Sequence, residues 1–424
     1  MTTRTGARRP PILFHSQHLL GIGHARRAAS LTRALAEAGE NVLFVSGGLP
    51  VPGLELGGAE AVSLSPLTAG DEAASTLIRP DGRPPDAAYL DARRAQLLEL
   101  LATRDPAVVL LELFPFGRHA LAFELGPLLL ALVDDRRRRG RRAPRVAVSL
   151  RDILVSKRNQ PWYELSVLAV VRQCIDRVLV HGSPDVIPLS RTFGLAEGLG
   201  ETVVYTGYLT TPPTQSPETP PHGEVVVSAG GGRAAGPFFR TVLAARSLSP
   251  VAAALPWRLL TGPYLPDAVR DELIALTRDL PSVAGRPAVV VESFRNDFAA
   301  LLRGATLSVS QAGYNTVLDL VSTGVRAVVV PFDGSGDEQP LRARLLAERG
   351  LLSVVHADEL TPARLAAAID GALNTPKVAA ERRIDLDGAA RSVQLLAAMV
   401  DAVAAARQRP LRPGAGRPQS PRRR

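Results

Sequence analysis

The sequence has little cysteine, few lysines and no long apolar run. Because Cys174 is the single cysteine, an internal disulfide is excluded, and a cysteine-based zinc site would lack a second cysteine ligand. The apolar surroundings of Cys174 favour a buried core thiol over a nucleophile. No uninterrupted apolar run approaches the roughly 18 residues of a membrane helix, and the first residues lack the apolar stretch of a signal peptide. We therefore expect a cytoplasmic protein, and peripheral contact with a membrane surface stays open.

Positive charge is concentrated in two short arginine-rich segments. The formal net charge is +9, yet seven arginines lie within residues 136–145 and seven more within 407–424. The rest of the chain is therefore mildly acidic. This distribution favours a solvated loop and a solvated tail over a nucleic-acid site, so we expect no nucleic-acid partner. A patch that contacts anionic lipid headgroups is the alternative.

The length of 424 residues indicates two domains of roughly 200 residues each. Short apolar strands alternate with helices, which is typical of parallel strands joined by crossover helices. We predict an α/β chain with two Rossmann-like domains whose parallel sheets face each other across a cleft. The predicted parts are a disordered lead (1–10), an N-terminal domain (11–208) with an irregular excursion at 47–86, a Pro-rich linker (209–223), a C-terminal domain (224–375), a C-terminal helix (376–406) and a disordered Arg/Pro-rich tail (407–424).

The first candidate site is a run of three glycines after an apolar strand. Gly230, Gly231 and Gly232 follow the strand, and Arg233 comes before the next helix. Glycines bring backbone amides close to a ligand, and a helix start adds partial positive charge, so this loop suits a diphosphate. An ordinary strand-to-helix turn is the alternative. The loop matches neither the dinucleotide fingerprint nor a Walker motif.

Two further strand ends follow in the C-terminal half. Gly313, Asn315 and Thr316 open a helix after a strand, where amides again face the edge at which open α/β sheets bind ligands. Asp319, one turn later, offers a carboxylate that can accept both hydroxyls of a ribose. Glu338 and Gln339 open another helix and offer the acceptors and donors that sugar hydroxyls need.

One histidine of the N-terminal half is a candidate base. His24 ends the loop Gln17-His18-Leu19-Leu20-Gly21-Ile22-Gly23-His24, after the first strand and at the start of a helix. A histidine takes up a proton near neutral pH, so His24 is a candidate to deprotonate a substrate hydroxyl. A capping or surface histidine is the alternative.

Taken in order, these sites resemble the GT-B glycosyltransferases, in particular the group with the N-acetylglucosaminyltransferase of lipid II synthesis and a bacterial set of predicted glycosyltransferases. The resemblance covers roughly residues 11–375 and is most specific from 288 to 350. Two departures are a looser Gly-rich loop before His24 and an aspartate, Asp319, where the family usually has glutamate. The resemblance implies that the segment 291–298, with Phe294 and Arg295, reads the base, that Asp319 binds ribose, that Glu338 and Gln339 hold the donor sugar, and that His24 faces the cleft.

The resemblance implies transfer of a hexosyl group from a nucleotide sugar, which is a substrate rather than a cofactor, to an unknown acceptor hydroxyl. Helix dipoles would replace a metal. Asp385-Leu386-Asp387 has the form of a metal-binding Asp-x-Asp, but it precedes the last helix and is assigned as a cap. Two alternatives stay open: a UDP-N-acetylglucosamine 2-epimerase, which shares the fold, and a non-catalytic protein that binds a nucleotide sugar or a nucleic acid.

Overall fold

A computed structural model shows two parallel sheets, each covered by helices. It describes residues 9–19, 23–51, 53–71, 76–210, 223–232, 234–295, 297–332, 334, 336–375 and 384–409. Most of the predicted linker, most of the predicted tail and Arg233 lie outside these residues. The predicted α/β fold with two Rossmann-like halves is confirmed.

The first sheet has seven parallel strands in the order β3-β2-β1-β6-β7-β8-β9. The inner strands β1 and β6 are buried along their whole length, as expected where helices cover both faces. A separate hairpin pairs β4 with β5 in antiparallel fashion. The bounds are β1 Ile12–Ser16, β2 Val42–Ser46, β3 Glu60–Ser63, β4 Thr68–Ala69, β5 Leu77–Ile78, β6 Val108–Glu112, β7 Arg145–Arg151, β8 Arg177–His181 and β9 Val203–Tyr205.

The second sheet has six parallel strands in the order β12-β11-β10-β13-β14-β15. When the hairpin strands β4 and β5 are left out and the strands are numbered afresh within each half, both sheets begin with the doubly wound order 3-2-1-4-5-6. The strand order reverses between β1 and β6 in one half and between β10 and β13 in the other. The bounds are β10 Val225–Ser228, β11 Trp257–Leu260, β12 Val289–Glu292, β13 Leu307–Ser310, β14 Ala327–Val329 and β15 Ser353–Val354.

Helices connect the strands and bury their apolar faces on the sheets. Asp86 caps α2 by accepting a hydrogen bond from the Tyr89 amide at 2.8 Å, and Gly324, with φ of 65°, ends α9. The bounds are α1 Gly23–Glu37, α2 Ala87–Arg104, α3 Ala122–Arg139, α4 Gln160–Cys174, α5 Gly236–Leu248, α6 Pro250–Ala253, α7 Asp267–Arg278, α8 Phe298–Gly304, α9 Tyr314–Thr323, α10 Glu338–Glu348, α11 Pro362–Leu373 and α12 Gly388–Gln408.

The last helix returns to the N-terminal half. Leu396 and Val400 of α12 are buried in one core with Phe14 of β1 and Leu31 of α1. Among the described residues, α12 is the one helix whose length and composition would suffice to cross a membrane. Its buried face packs here against the first sheet.

Several predicted boundaries differ from the structure. The excursion at 47–86 contains β3, an edge strand whose alternating exposure hides it from a search for continuous apolar runs. The first arginine-rich segment is largely helical rather than a loop, because Arg136–Arg139 form the last turn of α3, where cations favour the helix dipole. The last helix is Gly388–Gln408, so Arg407 belongs to a helix rather than to the tail, and residues 376–383 of the predicted C-terminal segment lie outside the described residues. Cys174 is buried, as predicted.

Candidate functional site

The two switch points bring polar strand ends together between the halves. In the first sheet, α1 begins at Gly23 soon after β1, and β6 ends with Glu112. In the second sheet, α9 begins at Tyr314 after β13. The Asn315 side-chain amide donates to the Gly23 carbonyl at 3.2 Å, so the starts of α1 and α9 meet. Open α/β sheets bind ligands at such points.

His24 is held by a carboxylate that our sequence reasoning did not select. Its Nδ1 atom lies 2.9 Å from Oε1 of Glu112, which also accepts a hydrogen bond from Arg27. A carboxylate only accepts, so Nδ1 carries the proton and donates it. The lone pair of His24 therefore lies on Nε2, which is the arrangement of a general base oriented by an acid.

The pKa values of His24 and Glu112 both lie well below neutral pH. Burial and the nearby Arg118 lower the pKa of His24 to about 3, although the hydrogen bond to Glu112 acts in the opposite direction. Burial disfavours the charge of Glu112, but Arg27 and His24 outweigh burial and lower its pKa to about 2. At neutral pH the pair is a neutral imidazole and a carboxylate, so the Nε2 lone pair of His24 carries no proton.

Behind Glu112 the hydrogen bonds continue through buried side chains. Ser149 Oγ donates to Oε2 of Glu112 at 2.9 Å and lies 3.0 Å from Nε2 of His181. The other ring nitrogen of His181 lies 2.9 Å from Thr206 Oγ1. Burial lowers the pKa of His181 to about 3, so this ring is neutral as well. Both oxygens of Glu112 are thus fixed in place, and so is the ring of His24.

Ion pairs join the two halves next to this network. Arg342 of α10 donates to both oxygens of Asp152, at 2.8 and 3.1 Å. Glu338 accepts from Arg342 at 2.9 Å and pairs with Arg151 of β7 at 2.8 Å. Burial opposes the charge of Glu338, but Arg151 and Arg342 lower its pKa to about 2. The predicted sugar-binding Glu338 is therefore an ion-pair partner across the boundary, near His24.

The three glycines form a tight loop at the end of β10. Gly230 and Gly232 have φ of 61° and 82°, which favour glycine. A Cβ on Gly232 would collide with the Thr261 carbonyl, and the Gly231 carbonyl accepts from the Tyr264 amide at 3.0 Å. The loop is thus packed against the end of β11, and α5 begins at Gly236.

The second predicted amide site lies at the start of α9. Gly313 precedes the helix, and the first amides, those of Tyr314, Asn315 and Thr316, have no partner within the helix because of their position. The first intrahelical bond described there runs from the Val317 amide to the Gly313 carbonyl at 3.0 Å. Such amides are free to bind an anion.

A cavity joins the predicted base and ribose residues to the N-terminal half. It has a volume of about 110 Å³, is open to solvent and lies between α1 and the second half, lined by Asp319, Phe294, Arg295 and Arg26, among others. The Arg26 guanidinium lies 4.5 Å from the centre of the Phe294 ring. Burial raises the pKa of Asp319 to about 7, although Arg26 and Arg303 act to lower it. The site thus contains a carboxyl group that changes its charge near neutral pH.

The remaining predicted residues have mainly internal partners. Arg295 donates two hydrogen bonds of 2.7 Å to Asp297, and Oε1 of Gln339 accepts from the Phe332 amide at 3.0 Å. Among the described residues, the lining of the cavity includes Phe294, Arg295 and Asp319. The three glycines, the start of α9, Glu338, Gln339 and His24 lie along the same boundary but outside that lining.

Two signals could have found the residues that were missed. Glu112 ends an otherwise apolar strand, where a carboxylate needs a specific partner. Arg26 and Arg27 follow His24 in the first turn of α1, where helices usually carry acids. A charge that ends an apolar strand and cations at a helix start both go against local preferences, and functional residues often do so.

Comparison with known proteins shows which families the two halves of the chain resemble. The profile of the glycosyltransferase family 28 C-terminal domain matches residues 225–396. Two curated relatives share the name UDP-N-acetylglucosamine–N-acetylmuramyl-(pentapeptide) pyrophosphoryl-undecaprenol N-acetylglucosamine transferase. The one from Desulforudis audaxviator is 33% identical over 115 residues, 27% of this chain and 31% of the relative. The one from Brucella anthropi is 32% identical over 178 residues, 41% of this chain and 46% of the relative. The chain thus spans less than half the length of each.

Solved structures extend the likeness to both halves. CalG4, the calicheamicin glycosyltransferase, aligns with a TM-score of 0.59 at 20% identity and covers 93% of this chain and 99% of its own. MurG of Acinetobacter baumannii aligns with a TM-score of 0.56 at 17% identity over 92% and 100% of the two chains. The predicted GT-B fold and the resemblance to GT-B glycosyltransferases are confirmed. This chain has the GT-B fold, and its residues 225–396 match the glycosyltransferase family 28 C-terminal domain.

Proposed function

We propose that this protein is a glycosyltransferase that moves a hexosyl group from a nucleotide sugar, of the UDP class, to an acceptor hydroxyl with inversion. The observation that carries the proposal is the pairing of His24 with Glu112 at the switch point of the first sheet, next to the start of α9. A base on one half then faces amide-rich strand ends on the other. The two curated relatives carry UDP-N-acetylglucosamine and a pyrophosphoryl-undecaprenol in their names, which supports a UDP-linked donor here.

The donor site in this proposal lies on the C-terminal half. The amides of Gly230–Gly232 and of the first turn of α9 bind the diphosphate, and Asp319 accepts the ribose hydroxyls. These dipoles are fixed before the reaction, so they stabilise the negative charge that grows on the leaving diphosphate without a metal. The sugar then lies towards Glu338 and Gln339, whose backbone begins α10.

The acceptor site lies on the N-terminal half. His24 Nε2 takes the proton of the acceptor hydroxyl. The oxygen of this hydroxyl attacks the anomeric carbon from the face opposite the diphosphate. The new C–O bond forms as the bond to the diphosphate breaks, the configuration inverts, and the nucleoside diphosphate leaves. Glu112 stabilises the imidazolium that results, and closure of the two halves excludes water.

Peripheral contact with an anionic membrane is the partner that we propose for the N-terminal half. Trp162 and Leu165 near the start of α4 and Leu130 of α3 are exposed, and Arg137 and Arg138, which pair with Asp134 and Asp135, are exposed in the last turn of α3. Exposed apolar side chains together with cations on one half of a protein favour binding to anionic bilayers. The protein should sediment with vesicles that contain phosphatidylglycerol but not with neutral vesicles, and Trp162→Ala should weaken this binding.

The direct test is donor turnover by purified protein. UDP release from a panel of UDP-sugars is measured with and without candidate hydroxyl acceptors. His24→Ala should retain UDP binding and lose transfer by about 10²–10⁴-fold, whereas Asp319→Ala should lose UDP binding. Normal transfer by His24→Ala would contradict the base assignment.

The same samples separate the alternatives. Conversion of UDP-N-acetylglucosamine to its 2-epimer without any acceptor would indicate the epimerase. Binding of RNA or DNA that weakens steeply with salt would indicate a nucleic-acid protein. UDP-sugar binding without turnover under every acceptor would indicate a protein that only binds.

A further inference from the structure

Among the described residues, Arg118 has no hydrogen-bond or ion-pair partner, and its charge acts on His24 and Glu112 of the candidate site. It lies in the loop after β6, and its backbone has φ of 60°, a conformation that non-glycine residues adopt rarely. The Nε atom is buried and has no hydrogen-bond partner in the described chain. Buried charged groups are otherwise paired in proteins, so this guanidinium requires an explanation.

The carboxylates nearby are already used by other residues. Both oxygens of Glu112 accept hydrogen bonds, from His24, Arg27 and Ser149. Glu338 is bound by two other arginines. The described side chains around Arg118 therefore leave it no free anion.

The remaining neighbours of Arg118 add positive charge. Lys157, one of only two lysines in the chain, follows β7 and is exposed, and Arg151 ends β7. Burial, and after it the charges of Arg151 and Arg118, lower the pKa of Lys157. Burial and then Arg151 likewise lower the pKa of Arg118 to about 10. The groups that interact with Arg118 electrostatically are Arg151, Arg27, Lys157, His18, His24 and Glu112, of which only the last is acidic.

We propose that Arg118, with Lys157 and Arg151 beside it, binds an anionic group, a carboxylate or a phosphate, that a substrate carries close to the atom facing His24. The guanidinium and the ammonium supply donors to such an anion from the loops that follow β6 and β7. The proposal rests on the glycosyltransferase function and narrows the substrate class. The anion has two sources: a carboxylate on the donor sugar, or an acidic group on the acceptor.

Stability separates a binding role from a structural one. An unpaired buried charge contributes nothing to the fold, so Arg118→Gln should leave the melting temperature of the ligand-free protein unchanged or raise it. Arg93 is the matched contrast, because its buried guanidinium is bound by Glu124 and by the carbonyls of Gly47 and Ser65. Arg93→Gln should lower the melting temperature by several degrees. A comparable loss in Arg118→Gln would overturn the proposal.

Calorimetric titrations of the full chain identify the source of the anion. The donor arm compares UDP-glucuronic acid with UDP-glucose, which differ by one carboxylate. The acceptor arm compares glucose 1-phosphate with methyl glucoside, with and without saturating UDP. In one of the two arms, Arg118→Gln should lower the affinity for the anionic ligand about 10- to 100-fold and the affinity for the neutral ligand less than twofold.

The control variant is Arg278→Gln in the exposed last turn of α7, which should bind every ligand like wild type. Equal affinities of wild type and Arg118→Gln for the anionic ligands of both arms would refute the anion site. Binding of UDP to both proteins in that case would leave the glycosyltransferase proposal intact. Absence of UDP binding to wild type would instead refute the proposed function, while the acceptor arm without UDP still tests Arg118.

Discussion

Replacing Glu112 by glutamine removes one negative charge from the end of β6 with little change in side-chain size. In the native protein this carboxylate is 2% exposed and accepts from His24, Arg27 and Ser149. A glutamine amide offers one acceptor oxygen and presents hydrogens on the other side. At least one of the three donors therefore loses its partner.

The energetic cost follows from these partners. Arg27 is 4% exposed, and the loss of its counter-charge should reduce the free energy of unfolding by about 3–5 kcal/mol. Because Glu112 raises the proton affinity of His24 and fixes its ring, its charge also supports the base. We expect kcat to fall by about 10²–10⁴-fold, while KM for the donor, which binds to the other half, changes less than threefold.

The control is Glu124→Gln, which removes another buried carboxylate of the N-terminal half, on helix α3. Glu124 pairs with Arg93 at 2.5 Å and does not touch His24. Both variants should lose similar stability in urea denaturation, but only Glu112→Gln should lose the chemical step in UDP-release assays at low temperature. Equal kcat values in the two variants would refute the role of Glu112.

Three further predictions follow from charges buried at the boundary. Burial raises the pKa of Asp319 to about 7, so the affinity for UDP-glucose should fall as the pH drops below 7. In calorimetry, Asp319→Asn should bind UDP-glucose more weakly than wild type and with an affinity that does not depend on pH. A pH-dependent affinity of this variant would contradict the prediction. Arg342→Gln leaves Asp152, which is 1% exposed, without its bidentate partner, so urea denaturation should show a loss of about 3–5 kcal/mol, and a loss below 1 kcal/mol would refute the ion pair. The folded-state pKa values of His24 and His181, about 3, lie below the unfolded value of 6.5. The contribution of these neutral rings to the free energy of unfolding is therefore complete above pH 6.5 and is lost as the pH falls towards 3. Each histidine lowers the free energy of unfolding by up to about 1.4 kcal/mol for each pH unit below 6.5. Asp319 has the opposite effect, because the folded protein binds one more proton there between pH 3.8 and 7. The urea midpoint should therefore decrease from pH 6.5 to pH 5, and a constant midpoint would contradict the pKa shifts.

The sequence contains most of the fold but only part of the site. Buried parallel strands such as Val225–Ser228 read as continuous apolar runs, and the glycines after them mark the turns, so the two sheets could be predicted. The edge strand Glu60–Ser63 could not, because half of its side chains face solvent. Its place depends on pairing with β2, which no local pattern specifies.

Partners that meet through tertiary structure were the hardest to predict. His24 was selected from its position, yet Glu112 lies 88 residues away and reaches it only because β1 and β6 are neighbours in the sheet. Glu338 was selected as a sugar ligand, while its bonds to Arg151 and Arg342 depend on how the two halves meet. Sequence patterns identify strand ends, but they do not say which strand ends face each other.

The central claim is that a nucleotide sugar binds at the strand ends of the second half, with its anomeric carbon turned towards His24. A crystal structure of the protein with UDP-glucose, or with UDP if the sugar is lost, tests it most directly. We predict the diphosphate at the amides of residues 230–232 and at the start of α9, the ribose at Asp319, and Nε2 of His24 open to the sugar side. A nucleotide bound at any other place, or a sugar turned away from His24, would contradict this account.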